Sequence, residues 1–175
     1  MPATVIIEEH NGAGSAATQT DKTSGTVRFK NADNALVNTA NPLVIPSSGQ
    51  EYSFEKWLRL NVTVAPSTEI SNVREYSDGA NNFGTGVKLW ASSFGHYADP
   101  VIPIETNDPP LDQDGAAMTN WFTYTSAAPQ DLDDDAVFSG AGEIGRFVAL
   151  VMEVETTATQ GTLTAETATF SFDEI

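Results

Sequence analysis

The chain has no cysteine, and its 175 residues hold only two histidines and eight basic side chains. Without cysteine there is no disulfide framework, no thiolate metal site and no cysteine nucleophile. His10 and His96 are few for an enzyme built on histidine bases or histidine zinc ligands. Lys and Arg are scarce and scattered, so clustered phosphate contacts, and with them a nucleic-acid ligand, are not expected. A polybasic membrane contact fails for the same reason, and no apolar run approaches the roughly 20 residues that span a bilayer. The start, Met1-Pro2-Ala3-Thr4, lacks a basic region followed by an apolar one, so no signal peptide is expected.

What is abundant is acid. Twenty-four Asp and Glu against eight Lys and Arg give a formal charge of −16. Such a charge favours solubility at high local concentration. Apolar residues make up 40% of the chain, enough for one domain with a real core.

The local pattern is β almost throughout, with frequent Thr and Val and punctuation by Gly and Pro. Thr4–Glu9 reads as a first strand. Residues 10–24, HNGAGSAATQTDKTS, are small and polar with nothing large to bury. Two readings stand for residues 1–24. One is a strand and flexible arm that orders on assembly by pairing with a neighbour's sheet edge. The other is an internal first strand followed by a mobile loop. Residues 25–175 form a single domain.

Gly25–Lys30 reads as a second strand. The strongest signal is Ser53–Ala65, where Leu58, Leu60, Val62 and Val64 alternate with Trp57, Arg59, Asn61 and Thr63. Ile70–Tyr76, Val87–Ser92, Thr119–Thr125, Gly145–Glu155 and Thr162–Glu174 follow as strands. Asp99–Ala117, with four prolines, reads as an edge or a long surface connection, with at most a short helical turn near Gln113–Met118. Roughly eight to ten short strands separated by turns predict an all-β antiparallel β-sandwich, jelly-roll-like in form. The expected core includes Leu58, Leu60, Val62, Val64, Leu89, Val148, Leu150, Met152, Phe170 and Phe172.

No catalytic motif stands out, and no catalytic residue or cofactor-binding residue is assigned. The chain has no G-x-S-x-G elbow and no phosphate loop; Ser92-Ser93-Phe94-Gly95-His96 places a serine near a histidine without an acid partner. A carboxylate pair for glycoside hydrolysis is not singled out among so many acids. Asp108, Asp112 and Asp114, before Gly115, are hard oxygen ligands of the kind Ca²⁺ takes, though the spacing fails the EF-hand pattern. Asp131, Asp133, Asp134 and Asp135 form a second cluster. A solvated acidic loop is the commoner fate of such runs. Trp57, Trp90, Trp121, Tyr76, Tyr97 and Tyr124 suit either a sugar-stacking face or a core, and in a domain of this size a core or subunit-interface place is the better reading.

Tyr52–Val64, YSFEKWLRLNVTV, and Ile70–Ala91, ISNVREYSDGANNFGTGVKLWA, together with the opening MPATVIIEEHNGAG, resemble a family of small virion proteins of tailed bacteriophages. The resemblance covers about the first 100 residues and includes the segment Tyr76-Ser77-Asp78-Gly79-Ala80 with Phe83-Gly84-Thr85-Gly86. It implies an accessory structural protein of the capsid or its attachments, built as a β-sandwich, and it transfers no functional residues to this chain. The expectation is therefore a non-enzymatic protein, made in the host cytoplasm and residing in the virion, where it decorates or stabilises the capsid. Its expected partners are capsid or other virion proteins and further copies of itself, with no nucleic acid and no membrane. A tail or head-fibre component is the alternative within that class, and a carbohydrate-binding or lectin-like module is the alternative outside it.

Overall fold

A computed structural model describes residues 2–14 and 17–175. Ten strands are present among them: β1 (Thr4–Asn11), β2 (Thr18–Asp21), β3 (Gln50–Tyr52), β4 (Lys56–Val64), β5 (Ile70–Tyr76), β6 (Val87–Phe94), β7 (Thr119–Asn120), β8 (Gln130–Asp131), β9 (Gly142–Glu155) and β10 (Thr169–Glu174). The fold is all-β. A seven-stranded sheet runs β2-β1-β4-β9-β6-β7, with β3 also pairing β9, and a three-stranded sheet runs β10-β5-β8. Every pairing between these strands is antiparallel. Two sheets face each other as in a sandwich; jelly-roll winding is a finer expectation than this strand order establishes.

The alternation in β4 sets the layers. Leu58, Leu60 and Val62 point inward, where they meet Leu89 of β6 and Val148, Leu150 and Met152 of β9. Ile70 and Val73 of β5 close this core from the smaller sheet, with Phe170 and Phe172 of β10 half-buried against it. Val64, expected in the core, is only half-buried at the end of its strand. Trp57 points the other way and joins Phe94, Phe147 and Ala149 in a second cluster on the outer face. Tyr52, Met118 and Val151 make a third, with Trp90 and Ile102 against it. Thus β9 is covered on both faces, which is why FVALVMEV reads as a nearly unbroken apolar run rather than an alternating one.

Several expectations are corrected. The boundary at residue 24 has no counterpart in the sheet. β1 is an interior strand, paired with β4 from Thr4↔Val64 to His10↔Trp57 and with β2 from Glu8↔Asp21 to Asn11↔Thr18. Polar His10, Asn11 and Lys22 are buried there, while Val5 and Ile7 pack against the main core, so the segment is held by polar and apolar contacts together. Ser15 and Ala16 lie outside the described residues. Gly25–Lys30 is not a strand. Val27 and Phe29 pack on the core from an extended segment whose Lys30 amine is buried and donates to the Leu36 carbonyl at 2.7 Å. In 119–125 only the first two residues pair as a strand. The Asn120 side chain accepts from the Phe122 amide at 3.0 Å and starts a 3₁₀ turn, Trp121–Thr123, that carries Trp121 into the core. The last strand begins at Thr169, not at 162. Residues 113–118 form turns, and no helix.

The two sheets approach closely at Gly145, at a register shift between β4 and β9. Its φ is +69°, and a Cβ there would lie 3.0 Å from the Leu132 carbonyl oxygen and 3.1 Å from Val73 Cγ1. Only glycine meets both demands.

Candidate functional site

Asp108, Asp112 and Asp114 are not brought together as a cation cradle. Asp108 faces Lys88 at 3.5 Å. Asp112 accepts from Ser92 Oγ at 2.7 Å through one oxygen, and from the Asp114 and Ala116 amides through the other. Its carboxylate therefore ties its own turn to β6. The second acidic run is likewise taken up by structural contacts. Asp133 accepts from the Val73 amide at 2.7 Å and the Asp135 amide at 3.0 Å, while Asp134 pairs with Arg146 at 2.8 Å. Ser92 thus spends its hydroxyl on Asp112, and His96 stacks edge-on to Phe94.

All three tryptophans are engaged in the interior. Trp57 and Trp121 are buried and Trp90 is half-buried. Each indole N–H donates to a buried glutamate: Trp57 to Glu55 at 2.9 Å, Trp90 to Glu153 at 2.6 Å and Trp121 to Glu75 at 2.6 Å. The buried rings of Trp57 and Trp121 offer no open face for a sugar. The Glu55–Trp57 pair is visible in the sequence, since residues two apart in an extended segment share a face. The other two pairs join distant segments and leave no local signal. Desolvation raises the Glu55 carboxyl above the ordinary carboxylate range, against hydrogen bonds from Trp57, Gln113 and Val101. Desolvation pushes Glu75 up to about 7, with the Trp121 bond opposing it.

Charged groups are also drawn inside at the β1 end of the sheet. Glu9 pairs with Lys56 at 3.1 Å and Lys22 at 3.3 Å. Lys56 also donates to the Asn34 carbonyl, and Lys22 to those of Thr26 and Ala35. These bonds pin the 22–43 connection over the sheet. At the opposite end Lys88 bridges Glu153 and Glu155. Burial works against its charge, but those carboxylates outweigh it and hold the amine above its usual range.

Two shallow depressions flank this framework. One, of about 300 Å³, lies among Asn11, Thr18, Asp33 and Leu36. The other, of about 280 Å³, lies among His10, Gln19, Arg59, Tyr97 and Glu143. Both sit at or below the small end of the roughly 300–1,000 Å³ typical of ligand pockets. On the outer face beside the second, Asn61 donates to Glu8 Oε1 at 2.9 Å, and Arg59 to Glu143 Oε2 at 2.8 Å.

Large apolar side chains stand exposed on the two long connections. Leu36, Val37 and Val44 lie on one, and Val101, Ile104 and Leu111 on the other; Leu36 is 61% and Ile104 69% exposed. Both loops are anchored to the sheet, through Phe54 N–H to the Lys30 carbonyl and Glu55 N–H to the Val101 carbonyl. No family model, curated protein or solved structure matches this chain.

Proposed function

We propose that the protein is a non-enzymatic structural component of a tailed-phage virion, which decorates or stabilises the capsid through its two long loops. The observation that carries this reading is the display of Leu36, Val37, Val44, Val101, Ile104 and Leu111 in water on loops fastened to a rigid sheet. Apolar side chains displayed on two anchored loops suit a protein that meets a partner surface. The phage resemblance of the first 100 residues supports the capsid lattice as that partner, with copies of the protein repeating across it. Shallow depressions, together with Trp57 and Trp121 turned inward, support a binding role over a catalytic or lectin role.

The test is mass spectrometry of purified virions, with the wild-type chain and an Ile104→Asp, Leu36→Asp double variant. Both should be folded by circular dichroism, and only the wild type should occur in particles at a stoichiometric level. Absence of the wild-type chain from virions would end the proposal. Particles that carry the variant at wild-type level would remove the loops from it.

A further inference from the structure

Glu8 and His10 are two residues apart on β1, so their side chains share the outer face of the large sheet. Glu143, at the start of β9, reaches the same face from beyond β4. Glu8 Oε2, His10 Nε2 and Glu143 Oε1 lie within 4.8 Å of one another. The imidazole nitrogen is 3.9 Å from the Glu8 oxygen and 3.7 Å from the Glu143 oxygen. Atoms so spaced share a point about 2.5 Å or less from each, near the ~2.0–2.2 Å of zinc–nitrogen and zinc–oxygen bonds.

A second observation points to the same spot. His10 is 3% and Glu8 8% exposed, and neither His10 Nε2 nor Glu8 Oε2 has a hydrogen-bond partner. Buried polar atoms nearly always have one. The outer carboxylate oxygens, in contrast, are held: Asn61 Nδ2 donates to Glu8 Oε1 and Arg59 Nη1 to Glu143 Oε2. Such outer contacts orient a ligand and leave its inner oxygen free. Gln19 Nε2 donates to Glu143 Oε1 at 2.9 Å, which leaves that oxygen a second lone pair. Burial, with a smaller push from Arg59, lowers the imidazole pKa against the pull of Glu143 and Glu8.

We propose that Glu8, His10 and Glu143 form a binding site for a divalent first-row transition ion of the Zn²⁺ class. The imidazole sets it apart from a Ca²⁺ or Mg²⁺ site, which takes oxygen ligands. The ion clamps β1 to β9 across β4, with water completing its coordination. The inference is independent of any virion role.

The test titrates the chelator-treated full chain with Zn²⁺ by calorimetry and follows thermal unfolding. One equivalent should bind saturably and raise the melting temperature, and Ca²⁺ should do neither. Glu143→Gln and Glu8→Gln keep side-chain volume and should weaken Zn²⁺ binding by about tenfold or more with an unchanged circular dichroism spectrum. Glu143 is partly exposed, so its variant remains informative even where Glu8→Gln perturbs folding. No saturable Zn²⁺ binding, or binding by Glu143→Gln at wild-type affinity, would overturn the site.

Discussion

At the scale of the residue, Glu75 is the clearest source of pH dependence. Its carboxyl sits in the core, with Trp121 Nε1 on Oε1 and nothing on Oε2. Across the β5–β8 register is Gln130, whose Oε1 also has no partner. A proton on Glu75 lessens the cost of this environment, and desolvation accordingly raises its pKa from 4.5 to about 7. A raised folded-state value means the group's stabilising contribution is complete below about pH 4.5 and is lost as pH climbs through 7. The loss amounts to roughly 3 kcal/mol, at about 1.4 kcal/mol for each tenfold change in proton affinity. Glu75→Gln keeps the acceptor for Trp121 and cannot ionise. Urea unfolding from pH 5 to 8 should show wild-type stability falling relative to that variant by this order. Parallel pH profiles would remove Glu75 as the cause.

At the scale of the element, the turn before β6 shows how backbone sets strand pairing. Gly86 has φ +75°, and a Cβ there would meet the Ala158 amide nitrogen at 2.4 Å and Thr157 Oγ1 at 2.6 Å. Its carbonyl accepts from the Glu155 amide at 2.8 Å, where β6 joins the end of β9. Gly84, two residues earlier, has φ +98° but open space around it. Gly84→Ala should cost about 1–2 kcal/mol in urea unfolding, the conformational penalty alone. Gly86→Ala should cost clearly more, because backbone must move. Equal costs would mean that the packing against 157–158 carries no weight.

The elements legible in the sequence are chiefly those with two or more apolar side chains in alternation, such as β4, β6 and β10, together with the apolar stretch of β9. β2 is not legible. Thr18–Asp21 has no apolar residue, and it is a strand because β1 offers it an edge. Gly25–Lys30 shows the reverse: Val27 and Phe29 alternate, yet packing and the Lys30 amine use the segment as cover rather than as ladder. The core residues of β4, β6 and β9 follow from periodicity. The Glu8–His10–Glu143 cluster does not, because Glu143 lies more than 130 residues from its companions and is joined to them only through β4.

At the scale of the whole molecule, β1 is a structural member and not an appendage. Removing residues 1–24 takes away both β1 and β2 and exposes the edge of β4 together with Lys56, whose buried partner is Glu9. Loss of one partner of a buried ion pair is costly, on the order of 3–5 kcal/mol. The truncated chain should therefore lack a cooperative unfolding transition and should aggregate through the open edge. A truncated chain with a near-native melting temperature would instead make the first strand dispensable.

The position of β9 has a bearing on how the chain reaches this state. β4 and β6 are not neighbours in the sheet; each is hydrogen-bonded to β9, with Lys56 opposite Leu150 and Val87 opposite Val154. During synthesis both of these strands are complete before the ribosome has released the segment that joins them. Until Gly142–Glu155 emerges, β4 and β6 each present an unpaired edge and an apolar face. Closure of the sheet is thus a late event in the life of each copy, and the interval before it is when an acidic, self-repelling chain is best kept from its neighbours.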